Sequence, residues 1–411
     1  MRNSKLKLLA LLFLVGCTVD QKPKLSKEEY EIEEAGKTEL KMLESMYSNK
    51  AEWETRKLLL RAEMLKGINL FPLPSKTPLN AVITSKRTYD GYSVENVYFE
   101  SIPGFYVCGN LYRPFSYSGK HPVILCPHGH FPSDSLGGYG RFRPDQQKRC
   151  ATFARMGAIV FSYNMFGWGE SIKQLDTSAI MEKPVVAVID KNHSIPLALT
   201  MQTWNSIRVI DFLETLPDVD TTNIAITAAS GGGTQTFLLA AIDDRISLSI
   251  PVVMVSAHYK DLCVCEKVNP IQQNSEQILN MAEFAAMIAP KPMLLVSDGA
   301  DWTKNTPIVE YPFIKRTYSF YKAESNVENV HFPNGVHDYG FEKRIPVYSF
   351  LAKHMGLNLK AVSDPAGNID ESKSVLEPAE TMLSFSSKKP LPSNALIGKE
   401  SIEKELKKLQ N

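Results

Sequence analysis

The sequence predicts an α/β fold: a mostly parallel central sheet with helices on both faces, set behind an N-terminal helical extension. Three observations lead there. Between about residues 121 and 357, short runs rich in Val, Ile and Leu alternate with segments of helical period, the pattern of parallel strands joined by crossover helices. One such run, Asn223-Ile-Ala-Ile-Thr227, leads through two alanines to Ser230 and then to three glycines that open a helix bearing Phe237, Leu238 and Leu239. At 411 residues the chain is long enough for one large domain with additions, and no interior run reaches the roughly 20 apolar residues that cross a bilayer.

In chain order, Arg2, Lys5 and Lys7 precede an apolar stretch over 8–15 that is too short to span, so residues 1–16 read as a processing signal. The closing string Leu14-Val15-Gly16-Cys17 resembles a bacterial lipobox, which implies diacylation of Cys17 and a lipid-anchored protein of the cell envelope. An ordinary signal peptide with a chance cysteine is the alternative. Residues 17–26 are polar and serve as a tether, and residues 27–92 form the extension, with one or two helices over 27–65. Leu40, Leu43, Met46 and Tyr47 are spaced for one buried stripe, and Pro72 and Pro74 end the region.

The main domain, 93–357, opens with strands over 93–99 and 105–112 joined as a hairpin through Ser101-Ile-Pro-Gly104. Further strands are expected over 123–126, 158–163, 223–227, 249–255, 292–297 and 327–332, with helices over 145–155, 201–215 and 234–241. Residues 171–199 are too long for a common βα loop and are expected to lie over the catalytic edge as a lid or pocket wall. Beyond Leu357 the chain turns polar and ends in Lys399-Glu-Ser-Ile-Glu-Lys-Glu-Leu-Lys-Lys408, read as a solvated tail helix within 358–411.

Charge and cysteine content exclude several classes. With 46 basic against 45 acidic side chains there is no electrostatic footprint for nucleic acid. Setting Cys17 aside leaves Cys108, Cys126, Cys150, Cys263 and Cys265, an odd number spread over a large core, which is no disulfide framework. His258, Cys263, Cys265 and Glu266 could be read as a metal cluster, but no second ligand pair sits at zinc-site spacing. No metal or cofactor is expected.

Acyl transfer needs a nucleophile, a base, a group to orient the base, and donors for the oxyanion. Ser230 stands on the strand-to-helix corner between small neighbours. His337, in Gly335-Val-His337-Asp-Tyr-Gly340, follows the last predicted strand, while His331 lies within that strand and His354 in the final helix. Asp298 and Asp301 end the preceding strand, and Glu266 is an outside candidate for the acid. Gly231 offers a backbone N–H at a helix start. Pro127-His-Gly-His130 follows an earlier strand, where His128 and His130 read either as a backbone turn or as metal ligands. Trp168, in Asn164-Met-Phe-Gly-Trp-Gly-Glu-Ser171, is either a sugar-stacking face or core, and the loop holding Glu266 is a second candidate pocket wall.

The serine corner resembles the nucleophile elbow of the α/β-hydrolase superfamily, Gly-x-Ser-x-Gly, with Ala228 where the first glycine is usual. The chain order Ser230, Asp301, His337 is the order of that superfamily. Together with Met201-Gln-Thr-Trp204, Ala229-Ser-Gly-Gly-Gly-Thr-Gln-Thr236, Asp301-Trp-Thr-Lys-Asn-Thr-Pro307 and His337-Asp-Tyr-Gly-Phe-Glu-Lys343, the Pro127–His130 turn resembles acetyl xylan esterase-like envelope hydrolases. The resemblance covers roughly 93–357 and implies an α/β-hydrolase fold and a serine carboxylesterase that deacetylates an acylated carbohydrate. It also implies Asp301 over Asp298 as the acid, and an oxyanion hole made by the N–H groups of Gly231 and His130. A serine peptidase of the same fold and a non-catalytic glycan-binding lipoprotein are the alternatives.

Overall fold

Among the described residues, nine strands form one sheet in the order β1-β2-β3-β5-β4-β6-β7-β8-β9. They are β1 (Val82–Tyr89), β2 (Tyr92–Ile102), β3 (Phe105–Pro114), β4 (His121–Cys126), β5 (Ile159–Tyr163), β6 (Val219–Ala229), β7 (Ile246–Val252), β8 (Met293–Asp298) and β9 (Val327–Phe332). The structure is a computed structural model that describes residues 32–115, 118–131, 133, 135–180, 196–258 and 268–411. Cys17, the 1–16 signal, the 17–26 tether, most of the 171–199 insert, Cys263, Cys265 and Glu266 lie outside the described residues.

The first three strands and the β3–β5 pair run antiparallel, and from β5 through β9 every pairing is parallel. Strand β5 is buried along its whole length, as are β6 from Ile224 onward and all of β8. Helices covering both faces remove these strands from water, which is why they read as continuous Val/Ile/Leu runs. Strand β4 hands the chain to β5 on one side, and the chain then crosses to β6 on the other. That reversal leaves a crevice beyond the carboxyl ends of β4 and β6, where ligands bind in open α/β sheets.

Helices Glu33–Met46 and Lys50–Gly67 form the extension. Leu40, Leu43 and Tyr47 are buried as the stripe requires, whereas Met46 is turned outward. Arg56 fastens the second helix to the domain with two bonds to Glu283, Nε–Oε1 at 2.8 Å and Nη2–Oε2 at 2.7 Å, both side chains being buried. Burial pushes the Glu283 carboxyl up against the pull of that guanidinium. The extension is not helical throughout. Residues 82–89 form β1, whose polar sequence and register shift between Thr84 and Arg87 hide its strand period. The helix expected over 201–215 runs Pro196–Glu214, so it begins inside the predicted insert.

Residues 358–411 are not a solvated tail. Asn96 Nδ2 donates to the carbonyls of Thr381 (2.9 Å) and Leu383 (3.0 Å), and Asn110 Nδ2 to that of Met382 (3.1 Å), so this segment straps the antiparallel end of the sheet. Arg87 pairs with Glu377 and Arg344 with Glu371, each at 2.5 Å. The terminal helix Lys399–Gln410 buries Ile402 and Leu406 on one face, and the Ser75 N–H donates to the Leu409 carbonyl at 2.8 Å. Two apolar residues four apart are enough to dock a helix whose other face is charged. We expect Ile402→Ala to lower unfolding free energy in urea by about 2–4 kcal/mol, against less than about 0.5 kcal/mol for exposed Lys407→Ala. Equal, small effects would mean that the helix is not docked in solution.

Candidate functional site

Ser230 joins β6 to the helix Gly231–Ile242 with φ 56° and ψ −131°, a backbone region that residues with a Cβ rarely enter. Its N–H donates to the Val252 carbonyl of neighbouring β7 at 3.2 Å, and its own carbonyl accepts from the Thr234 N–H at 3.0 Å. Missing side chains make the corner possible. A Cβ on Gly232 would lie 2.6 Å from the Ala228 Cβ and 2.9 Å from the His128 carbonyl carbon, and one on Gly233 would lie 2.7 Å from the Met254 Cβ. Ala228, in place of the usual first glycine, is accommodated because Gly232 yields the space.

The turn after β4 presses on the same corner. A Cβ on Gly129 would meet the Ala229 carbonyl oxygen at 2.6 Å, the Phe131 ring at 2.7 Å and the Ser230 Cβ at 3.0 Å. His128 is a brace: its Nδ1 lies 3.0 Å from the Gly129 carbonyl and its Nε2 accepts from the Met165 N–H at 3.1 Å. Those two bonds require the Nδ1–H tautomer and leave neither ring nitrogen for a metal. Trp168 is 1% exposed. Its ring stacks on His130 (5.5 Å between centroids, 8° between planes) and lies against Tyr139 at 4.6 Å, so it offers no face to a sugar. The sugar-stacking expectation for Trp168 is therefore corrected: the residue backs the His-Gly-His turn.

The loop carrying Trp168 is held by Arg141 and Glu170, which sequence reasoning did not single out. Both are fully buried and form a bidentate pair at 2.8 and 2.9 Å, and Arg141 Nε also donates to Asn110 Oδ1 at 2.8 Å. Burial pushes the Glu170 carboxyl up, but the Arg141 guanidinium and the Ser384 N–H outweigh it and hold it below its usual range. The only hint in the sequence was the position of these residues beside glycine-rich turns.

At the end of β8 the two carboxylates separate. Asp301 Oδ2 lies 2.6 Å from His337 Nδ1, and Asp301 Oδ1 accepts from both the N–H and the Oγ1–H of Thr303 at 2.6 Å. Donation from Nδ1 to the carboxylate leaves His337 Nε2 as an acceptor. Asp298 does not touch the imidazole; its Oδ2 pairs with Lys343 Nζ at 2.9 Å. The His337 ring is partly exposed, 4.6 Å from the Trp302 ring and 6.1 Å from that of Phe131. Phe131 thus neighbours both the serine corner, through Gly129, and the imidazole. The Arg143 guanidinium lies over its ring at 4.3 Å, with Nε bonded to Asp145 at 2.9 Å. Gly231, buried, begins the helix that follows Ser230, so its N–H is at a helix N-terminus facing the crevice end of β6.

Serine, imidazole and carboxylate thus come from three strand ends along one edge of the sheet. Among the described residues no group of three His, Cys, Asp or Glu is placed to hold a metal ion, and His258 Nδ1 faces the Ser256 hydroxyl at 3.1 Å.

Comparison with known proteins extends this picture. Residues 157–257, from β5 through the chain after β7, match the family model "Glucuronyl esterase, fungi". A 4-O-methyl-glucuronoyl methylesterase from Wolfiporia cocos is 26% identical over 31% of this chain and 37% of its own length, so the chain spans little more than a third of that relative. The structure of Methylesterase BT1017 is 39% identical, with a TM-score of 0.80 over 92% of this chain and 81% of that one. A glucuronoyl esterase from Solibacter usitatus (14% identity, TM-score 0.52, 75% of this chain and 94% of the other) shares the fold. So does a candidate acetyl xylan esterase from Bacteroides fragilis (15% identity, TM-score 0.55, 70% and 77%).

The chain after β7 supports the acid side of the site. Ser256 Oγ donates to the Trp302 carbonyl at 3.1 Å, and the Ala257 N–H donates to Glu310 Oε1 at 2.7 Å. Burial raises the Glu310 carboxyl from 4.5 to about 7, only partly offset by the Ala257 N–H. A carboxyl that binds its proton more tightly in the folded chain stabilises fully below its unfolded pKa of 4.5, and that contribution is lost as pH rises to about 7. Relative to Glu310→Gln, the wild type should therefore lose up to about 3 kcal/mol between pH 4.5 and 7, read from urea midpoints. Parallel stability profiles for the two proteins would show that Glu310 titrates normally.

Proposed function

We propose that this chain, which belongs to the α/β-hydrolase esterase family of Methylesterase BT1017 and is a carboxylic ester hydrolase, cleaves the methyl ester of a uronic acid within a carbohydrate. The observation that carries the reading is the 39% identity over 92% of the chain to a methylesterase. The fungal methylesterase relative and the glucuronyl esterase family match point the same way. This replaces acetate by the sugar acid as the acyl half. In deacetylation the sugar is the leaving alcohol; in uronate demethylation the sugar carries the carbonyl and methanol leaves.

In the proposed cycle Ser230 Oγ attacks the ester carbonyl while His337 Nε2 takes its proton, and Asp301 holds the imidazole through Nδ1–H. The N–H groups of Gly231 and His130 receive the negative charge on the carbonyl oxygen. His337 returns the proton to the departing methoxide oxygen, which leaves as methanol. Water then attacks the acyl-enzyme, again losing its proton to His337, and the free uronate departs with Ser230 reprotonated. No cofactor enters these steps.

The soluble chain lacking residues 1–17 should release methanol from methyl-esterified oligouronates faster than acetate from acetylated xylan, and should leave peptide amides intact. Faster acetate release would restore deacetylation as the function, and amide cleavage would favour a peptidase. Silence on every ester, 4-nitrophenyl acetate included, would favour a glycan-binding protein without catalysis. Ser230→Ala should lower kcat by about 10⁶ and Asp301→Asn by about 10⁴. A milder loss for Asp301→Asn than for Asp298→Asn would transfer the orienting role to Asp298.

Anchoring in the cell envelope through Cys17 belongs to the same proposal and rests on the apolar run that Cys17 closes. Expressed in a bacterial host with a clickable palmitate analogue, the wild type should take up label and Cys17→Ser should not. Label on both, or on neither, would remove the anchor from the proposal.

A further inference from the structure

We infer that Lys343 is a positioning residue for the reaction, holding the His337 loop against the end of β8 by gripping both sides of the histidine at once. Its ammonium makes three contacts. Nζ pairs with Asp298 Oδ2 at 2.9 Å and with Asp338 Oδ1 at 2.8 Å, and it also donates to the Val336 carbonyl. Val336 and Asp338 flank His337 in the chain, and the Lys343 side chain is 3% exposed. The inference rests on the reading of His337 as general base.

The geometry gives the pair of acids at Asp298 and Asp301 a shared task. Asp301 orients the imidazole directly, and Asp298 anchors the lysine that fixes the backbone on either side of it. Thr303 ties the two together, because its Oγ1 accepts from the Asp298 N–H at 3.1 Å while donating to Asp301. The approach is close enough to exclude side chains: a Cβ on Gly299 would lie 2.0 Å from the Pro333 carbonyl oxygen, and one on Gly335 would lie 3.1 Å from the Asp298 Cβ. An ammonium with three donors and three oxygen acceptors is fully satisfied, so the loop has one arrangement at this point. Burial pushes the Asp298 carboxyl up and Lys343 draws it back, so the ion pair offsets the cost of enclosing a carboxylate.

The test is a cycle on the soluble chain with Lys343→Met, Asp298→Asn, the double variant and Lys343→Arg, using 4-nitrophenyl acetate. Lys343→Met alone strands a buried carboxylate and loses stability, whereas the double variant removes both charges and should recover most of the Tm. If Lys343 positions the base, the double variant keeps kcat low by about 10²-fold with KM nearly unchanged, as a misplaced base predicts. Lys343→Arg should recover part of kcat. Return of kcat together with Tm in the double variant would make Lys343 a stability residue only and overturn the inference. His337→Ala is assayed beside them: activity surviving in it would bring down the active-site reading itself. Loss in His337→Ala with wild-type kcat in the double variant would sink this inference alone.

Discussion

Everything at the crevice depends on three backbone segments coming closer than side chains permit. The corner at Ser230, the turn at Gly129 and the strand end at Val252 approach one another where a Cβ on Gly129, Gly232 or Gly233 would fall within 3 Å of a neighbouring atom. Ser230 bears the conformational cost, of the order of 1–3 kcal/mol for a residue with a Cβ at positive φ. Val253, immediately beyond β7, sits at φ 44° as well, so two adjacent strand ends are strained side by side. Such strain persists only where the surroundings over-determine it. Here the bond from the Ser230 N–H to Val252, the bond from the Val253 N–H to Val296 and the burial of Ala228, Ala229, Val252 and Met254 do so.

A corner fixed this firmly requires its partners to be fixed as well, yet the imidazole arrives on a loop more than a hundred residues later. The fold meets that requirement with charge rather than with apolar contact. Buried ion pairs bracket the site, Arg141–Glu170 behind the His-Gly-His turn and Lys343–Asp298 behind the histidine loop. The first joins the turn Gly140–Phe142 to the turn Gly169–Ser171, the second joins the first turn of the helix Phe341–Met355 to the end of β8, and each has further hydrogen bonds. Replacing such pairs by apolar residues is often neutral for stability. What the pairs supply is direction: a guanidinium or ammonium with fixed acceptors admits one geometry, whereas apolar contact would tolerate several.

How much of this was legible in the sequence follows from the range of each interaction. The elbow was readable because its cause is local: a β-branched run, a serine and three glycines must turn where they do. His337, and the alternative of Asp298 or Asp301, were readable from position after a strand, since an α/β sheet brings strand ends to one edge; the choice of Asp301 came from the family resemblance. Trp168 was not, because an aromatic in a glycine-rich turn can face solvent or the turn behind it, and only the position of His130 decides. Strand β1 was hidden by its polar edge and its bulge. The docked C-terminal segment was hidden by charge: Ile402 and Leu406 are two apolar residues among lysines and glutamates, and the helix is tied to the far N-terminal side of the chain, Gln410 to the Asn69 carbonyl and the Ser75 N–H to that of Leu409. Pairs such as Arg56 with Glu283 or Asn96 with the carbonyl of Leu383 leave no trace in local pattern, because either member reads alone as a surface residue.

The choice of acyl half has a structural consequence that joins site to fold. If the sugar acid is esterified to Ser230 during turnover, the intermediate holds a carbohydrate directly over the crevice while water must still reach His337 Nε2. The imidazole edge is open to that extent, with the His337 side chain 27% exposed between the rings of Trp302 and Phe131. The Trp302 backbone is held through its carbonyl by Ser256, and Phe131 lies under the Arg143 guanidinium. On the proposed reading a uronate acyl group would lie near these two aromatic rings, and the exposed part of the imidazole between them would admit the second nucleophile. An acetyl group would use the same triad and need neither ring, so the aromatic surroundings of His337 are where the two proposed substrates would differ in contact.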